Sequence, residues 1–196
     1  MAEQTAKTDI KESAGIFKSS RTRDMVQIAL FAAIMCILGP LSIPIGPVPI
    51  SLTTLVIYTM VYVLGMKKGT VSCIVYILLG LVGLPVFSGF SGGPAKLLGA
   101  TGGYIIGYIF VVLIAGAIVD HWKQKYWLHF IGFIVGTAVL YAFGTAWFLF
   151  LMKCELGYAM SVCVIPFIPG DLCKIVLAML LGSQIRKALT KAGFIN

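Results

Sequence analysis

Pro166-Phe167-Ile168-Pro169-Gly170-Asp171-Leu172-Cys173-Lys174 opens an apolar run that continues as Ile175-Val176-Leu177-Ala178-Met179-Leu180-Leu181, and how that run is read decides the architecture. In water, a carboxylate and an ammonium three residues apart would be an ordinary surface pair. Within a helix suited to hydrocarbon, each charge is costly unless it is paired or engaged by a ligand. At this spacing Asp171 and Lys174 share one helix face. They are either a structural ion pair or a recognition pair. An ionised Asp only accepts and a Lys only donates, so the pair suits a small molecule presenting N–H groups beside a carbonyl or carboxylate.

The rest of the chain supports the membrane reading. Of 196 residues 59% are hydrophobic and 11% charged, with a mean hydropathy of +1.00, whereas soluble domains carry about 25% charged residues. An all-α integral membrane protein is expected. Spans of roughly 20 apolar residues leave room for about six helices in a single unit. The expected spans are residues 24–38, 50–66, 70–84, 101–119 and 126–152, with a sixth beginning near Asp171, so the membrane domain covers 24–190. Residues 1–23 are expected to be a polar cytoplasmic tail without a cleaved leader, its first residues open to being an expression remnant, and residues 191–196 a second cytoplasmic tail.

Two connections are unusual. After Gly39, residues 40–49 contain Pro40, Pro44, Pro47 and Pro49, which rules out helix and leaves a stiff loop that either covers a site or only joins two spans. Residues 86–104 contain six glycines among apolar and aromatic side chains, a composition for backbone held in unusual conformations beside something buried. Gly99, Gly103 and Gly107 recur every four residues, so the fourth span can pack closely against a neighbour. Ala29 and Ala33 make one face of the first span smooth, for packing either within the chain or against a separate subunit.

Twelve of the fifteen Lys and Arg residues fall in the tail before the first span, in the turns after spans two and four, and at the C-terminal end as Arg186, Lys187 and Lys191. Only Lys96 and Lys153 fall on the opposite side, so both termini are expected to be cytoplasmic. The proline loop, the glycine loop and the approach to Asp171 then all face outward, where they can converge on one pocket.

Catalysis has little support. The sequence has no HExxH and no GxSxG, and His121 and His129 belong at the cytoplasmic end. Gly65-Met66-Lys67-Lys68-Gly69-Thr70 does not fit a nucleotide-binding loop. The five cysteines lack metal-ligand spacing and read as small apolar residues, and no metal is expected. The net charge of +8 lies in short clusters between spans, which suits membrane orientation rather than nucleic acid.

Four motifs together resemble the BioY family of substrate-binding (S) components of energy-coupling-factor (ECF) vitamin transporters. They are Val48-Pro49-Ile50-Ser51-Leu52-Thr53-Thr54-Leu55, the run from Gly83-Leu84-Pro85-Val86-Phe87 to Gly92-Gly93, Thr101-Gly102-Gly103-Tyr104, and Pro169-Gly170-Asp171-Leu172-Cys173-Lys174. The resemblance implies a six-helix S-component fold that binds biotin from outside and works with a transmembrane coupling protein and two ATPase subunits. ATP would be used only by those partners, and the chain itself would need no cofactor. It implies ligand-contacting roles for Asp171, Lys174, Phe87, Ser88, Gly89, Thr101, Gly102, Tyr104, Thr53 and Ile45, and a coupling role for Ala29 and Ala33. Ala100 stands where relatives usually carry Pro, and Thr53 where they often carry Gln. Lys96 is either a solvated outer charge or a partner for the ligand carboxylate. The resemblance also implies a prokaryotic plasma membrane. The competing classes are an autonomous ion-coupled or facilitative carrier and a membrane enzyme.

Overall fold

The computed structural model describes residues 20–122 and 125–191. Expectations for the tail up to residue 19, for Lys123 and for residues 192–196 lie outside it. The elements are α1 (Ser20–Leu38), β1 (Ser42–Ile43), β2 (Ile50–Ser51), α2 (Thr53–Leu81), α3 (Pro94–Leu98), α4 (Gly102–His121), α5 (Tyr126–Met152), α6 (Leu156–Cys163) and α7 (Phe167–Lys191). Four stretches among the described residues are long and apolar enough to cross a membrane: Thr53–Leu81, Gly102–His121, Tyr126–Met152 and Leu156–Lys191. Helix α1 bears Arg21, Arg23 and Asp24 in its first turns and lies outside that set.

Helix α2 accounts for two of the expected spans. A straight helix would hold Thr53 and Tyr76 about 35 Å apart, yet the Tyr76 hydroxyl reaches the Thr53 side chain. A Cβ placed on Gly69 would also lie 3.8 Å from Met60 Cε. The chain reverses at Gly65, whose φ of 73° and ψ of −169° are not helical and belong to a region that only glycine occupies readily. Two antiparallel arms result, residues 53–64 and 66–81. The second arm starts with an unsatisfied N–H, and Asp120 at the end of α4 accepts a hydrogen bond from the Met66 N–H at 2.8 Å. Negative charge at a helix N-terminus is also favoured by the helix dipole. With α1, α4, α5 and α7, the arms make six helical passages, as expected.

The contacts sort into two ends. Lys68 pairs with Asp24 at 2.5 Å and donates to Gln27 at 3.0 Å, so the start of α1 meets the Gly65 reversal. Together with the end of α4, the start of α5 and the end of α7, this is the inner end by charge. At the other end Gly89 donates to the Pro40 carbonyl at 3.1 Å, joining the glycine loop to the proline loop. Trp147 donates to the Gly99 carbonyl at 3.1 Å.

Helices α4 and α5 pack over small residues: a Cβ on Gly107 would come within 2.6 Å of Leu140, and one on Gly136 within 3.3 Å of the Val111 backbone. The glycine periodicity therefore serves packing inside the bundle.

Three details correct the expected boundaries. The second span does not begin at residue 50, because Ile50 and Ser51 pair with Ile43 and Ser42 in an antiparallel rung and the helix starts at Thr53. Helix α7 extends back to Phe167, since Pro169 in the first turn lacks only an N–H that had no helical partner to lose. Short helices α3 and α6 occupy stretches that read as irregular.

Candidate functional site

Asp171 sits one turn into α7 and is 4% exposed. Its Oδ1 accepts from Thr54 at 3.1 Å and from Lys174 at 3.0 Å, and its Oδ2 accepts from Tyr141 at 2.6 Å. Lys174 also donates to the Thr54 hydroxyl at 3.0 Å and to the Ser51 carbonyl at 2.8 Å. Four segments thus meet at the Asp171–Lys174 pair: β2, the first arm of α2, α5 and α7. The pair is both an ion pair and part of a hydrogen-bonded cluster, which is how buried charge becomes tolerable.

All three ammonium protons of Lys174 are committed. Oδ1 of Asp171 has both lone pairs engaged, while Oδ2 accepts a single bond and retains one lone pair. The cluster can therefore accept one more N–H at Oδ2 without losing a bond. A ligand carbonyl can reach Lys174 only by displacing one of its three acceptors. Around the cluster lies a cavity of about 40 Å3, lined in part by Val48, Tyr104, Tyr108, Leu140, Phe167 and Asp171. That holds only a few waters, against roughly 300–1,000 Å3 for clefts that enclose small ligands. Admission of a larger molecule requires the lining, which includes Val48 and Pro49 of the proline loop, to part.

Of the residues expected at the site, Asp171, Lys174 and Tyr104 line this cavity, and Tyr104 is fixed by a 3.0 Å bond between its hydroxyl and that of Thr145. The others are not among the lining residues. Thr53 is 1% exposed and accepts from Ser51 Oγ at 3.0 Å, one step behind the cluster. Phe87 is 1% exposed and stacks edge-on against Tyr76 at 5.6 Å, over Gly80. Ser88 and Gly89 belong to the loop beside Pro40, where the Ser88 carbonyl accepts from Ser91 Oγ. Thr101 and Gly102 are buried where the chain enters α4, and Ile45 is 57% exposed on the proline loop. Lys96 lies on α3, outside the cavity lining, and partial burial lowers its pKa.

Tyr141, Thr54, Ser51 and Tyr108 were not singled out as site residues in the sequence. Thr54 and Ser51 stand in the quoted Ser-Leu-Thr-Thr motif. Tyr108, whose hydroxyl reaches the side chains of Ser51 and Thr53, and Tyr141 were legible only as polar-tipped residues in otherwise apolar spans. Ala29 and Ala33 are both exposed, whereas Ala32 is buried. Their face therefore does not pack within this chain. Among the described residues no group of three or more His, Cys, Asp or Glu side chains could hold a metal ion.

The sequence model of the BioY family matches residues 7–191. The chain is similar to the biotin transporter BioY of Thermotoga maritima, with 34% identity over 84% of this chain and 96% of that protein. It is also similar to the biotin transporter BioY of Rhizobium etli, with 37% identity over 84% of this chain and 93% of the relative. Among solved structures, the S-component for biotin from an ECF-type ABC transporter superposes with a TM-score of 0.81 at 32% identity. That match covers 87% of this chain and 94% of the other.

Proposed function

Because the chain belongs to the BioY family, we propose that it is the substrate-capturing membrane subunit of a biotin uptake transporter, holding biotin in the outward-facing pocket around Asp171. The observation that carries the reading is the Asp171 carboxylate, buried and positioned by three donors, with one lone pair of Oδ2 left for an incoming N–H. A cyclic urea offers two N–H donors flanking a carbonyl. One N–H meets Oδ2, and the carbonyl competes for a proton of Lys174. Phe167, Tyr104 and Leu140 supply apolar surface for the ring system.

The chain acts by binding. Delivery into the cell depends on an ECF module of one transmembrane coupling protein and two ATPases, in a prokaryotic plasma membrane. The exposed Ala29 and Ala33, beside Met25, Val26 and Leu30, supply a smooth apolar face on α1 for the coupling protein.

Calorimetric titration of biotin into the purified chain tests the reading. Tight binding is expected, together with a loss of tenfold or more in Asp171→Asn, since a hydrogen bond to a charged group is worth about 1.5–3 kcal/mol. Unchanged affinity in a folded Asp171→Asn protein would move the site elsewhere. No binding by the parent protein would remove biotin as the ligand.

A further inference from the structure

The inner end of the bundle holds a second and larger cavity, of about 760 Å3, between the end of the first α2 arm, the start of α5 and the last turns of α7. Arg186, Lys187 and Lys191 line it together with the rings of Tyr62 and Tyr126, and no carboxylate is among the described residues that do. Arg186 is held at its edge by a 3.4 Å bond from its guanidinium to the Tyr62 carbonyl. This is a wide basic cleft with aromatic walls, within the size range of ligand sites.

Neighbouring residues set its depth. Tyr126 and Trp127 open α5 and are 54% and 71% exposed, as aromatic residues are where helices meet the headgroup layer. Beneath the cleft His129 is 1% exposed, its ring edge-on to Tyr62 at 5.4 Å and to Tyr126 at 6.0 Å. Its Nε2 faces the Trp122 carbonyl at 2.8 Å and so carries the proton, leaving Nδ1 as an acceptor without a hydrogen-bond partner. The wall thus presents cations suited to a phosphate, with His129 packed behind its two tyrosines.

We propose that this cleft binds an anionic phospholipid of the inner leaflet, with its phosphate among Arg186, Lys187 and Lys191 and its acyl chains running out between α5 and α7. A lipid fits better than a soluble anion because the cleft is lined from membrane helices at headgroup depth and has aromatic walls. The cytoplasmic leaflet is also where anionic lipids meet basic residues. The proposal is independent of the biotin reading.

The test uses the full chain in a neutral detergent, titrated with phosphatidylglycerol or phosphatidylcholine, with bound lipid counted by native mass spectrometry. Phosphatidylglycerol is expected to be retained in preference, and Lys187→Gln/Lys191→Gln to weaken it on the order of tenfold or more. This variant keeps Arg186 and its bond to Tyr62, and helicity by circular dichroism checks that it is folded. Arg21→Gln/Lys67→Gln removes the same charge from the same end, away from the cleft, and is expected to retain the lipid. Equal loss in both variants, equal retention of the two lipids, or displacement of the lipid by inorganic phosphate would overturn the proposal.

Discussion

The two ends of the bundle handle charge in opposite ways. At the outer end Asp171 is buried and Lys174 largely so, and every donor is committed, all but the Lys174–Asp171 bond to a partner from another segment. At the inner end Lys68 and Asp24 pair at partial exposure, while Lys187 and Lys191 remain exposed beside an open cleft. Buried charge has to be satisfied by protein, and charge at the interface by water and headgroups. The outer end is therefore brittle and specific, the inner end forgiving.

Removing a single partner from the outer cluster breaks that contrast most sharply. Lys174→Met is expected to destabilise the fold by about 3–5 kcal/mol, because it leaves an uncompensated buried carboxylate. Asp171→Asn/Lys174→Met is expected to recover most of that loss, as measured by thermal unfolding in detergent. A double variant as unstable as the single one would mean that packing of the lysine stem, and not charge, holds the outer end.

The inner end has one rigid point, the reversal at Gly65. Gly65→Ala is expected to cost about 1–3 kcal/mol for the backbone conformation alone, and more because the new Cβ would collide with the Asp120 carboxylate. The smallest effect is expected for Asp120→Asn, up to about 1 kcal/mol, since an amide oxygen can still accept from Met66 but without the charge that favours the helix N-terminus. If Asp120→Asn cost as much as Gly65→Ala, the inner end would be as brittle as the outer one, and the contrast would fail.

Much of this was legible in the sequence, and the gaps have physical causes. Asp171 and Lys174 stand out because charge in an apolar run is expensive. The inner turn after the second span showed in Lys67-Lys68, because basic residues collect on one side. Tyr141 did not stand out, since in a span rich in aromatic residues a hydroxyl that bonds a carboxylate 30 positions away looks like packing. Phe87 was read as facing the ligand, but it fills the space over Gly80, and composition does not tell which way a loop aromatic turns. The Gly65 reversal is braced by a carboxylate 54 positions beyond Met66, which no local pattern contains.

The first arm of α2 also fixes how deep the cluster lies. It has room for about 18 Å of rise between Gly65 and Thr53, whereas the hydrocarbon layer is about 30 Å thick. If the reversal rests at the cytoplasmic boundary, as Lys67 and Lys68 require, Asp171 lies well below the opposite boundary, submerged in the outer leaflet. Of the proline loop only Val48 and Pro49 line the cavity at that depth, while residues 43–47 are exposed. The charge that a captured ligand meets therefore lies beneath the face of the membrane rather than at it.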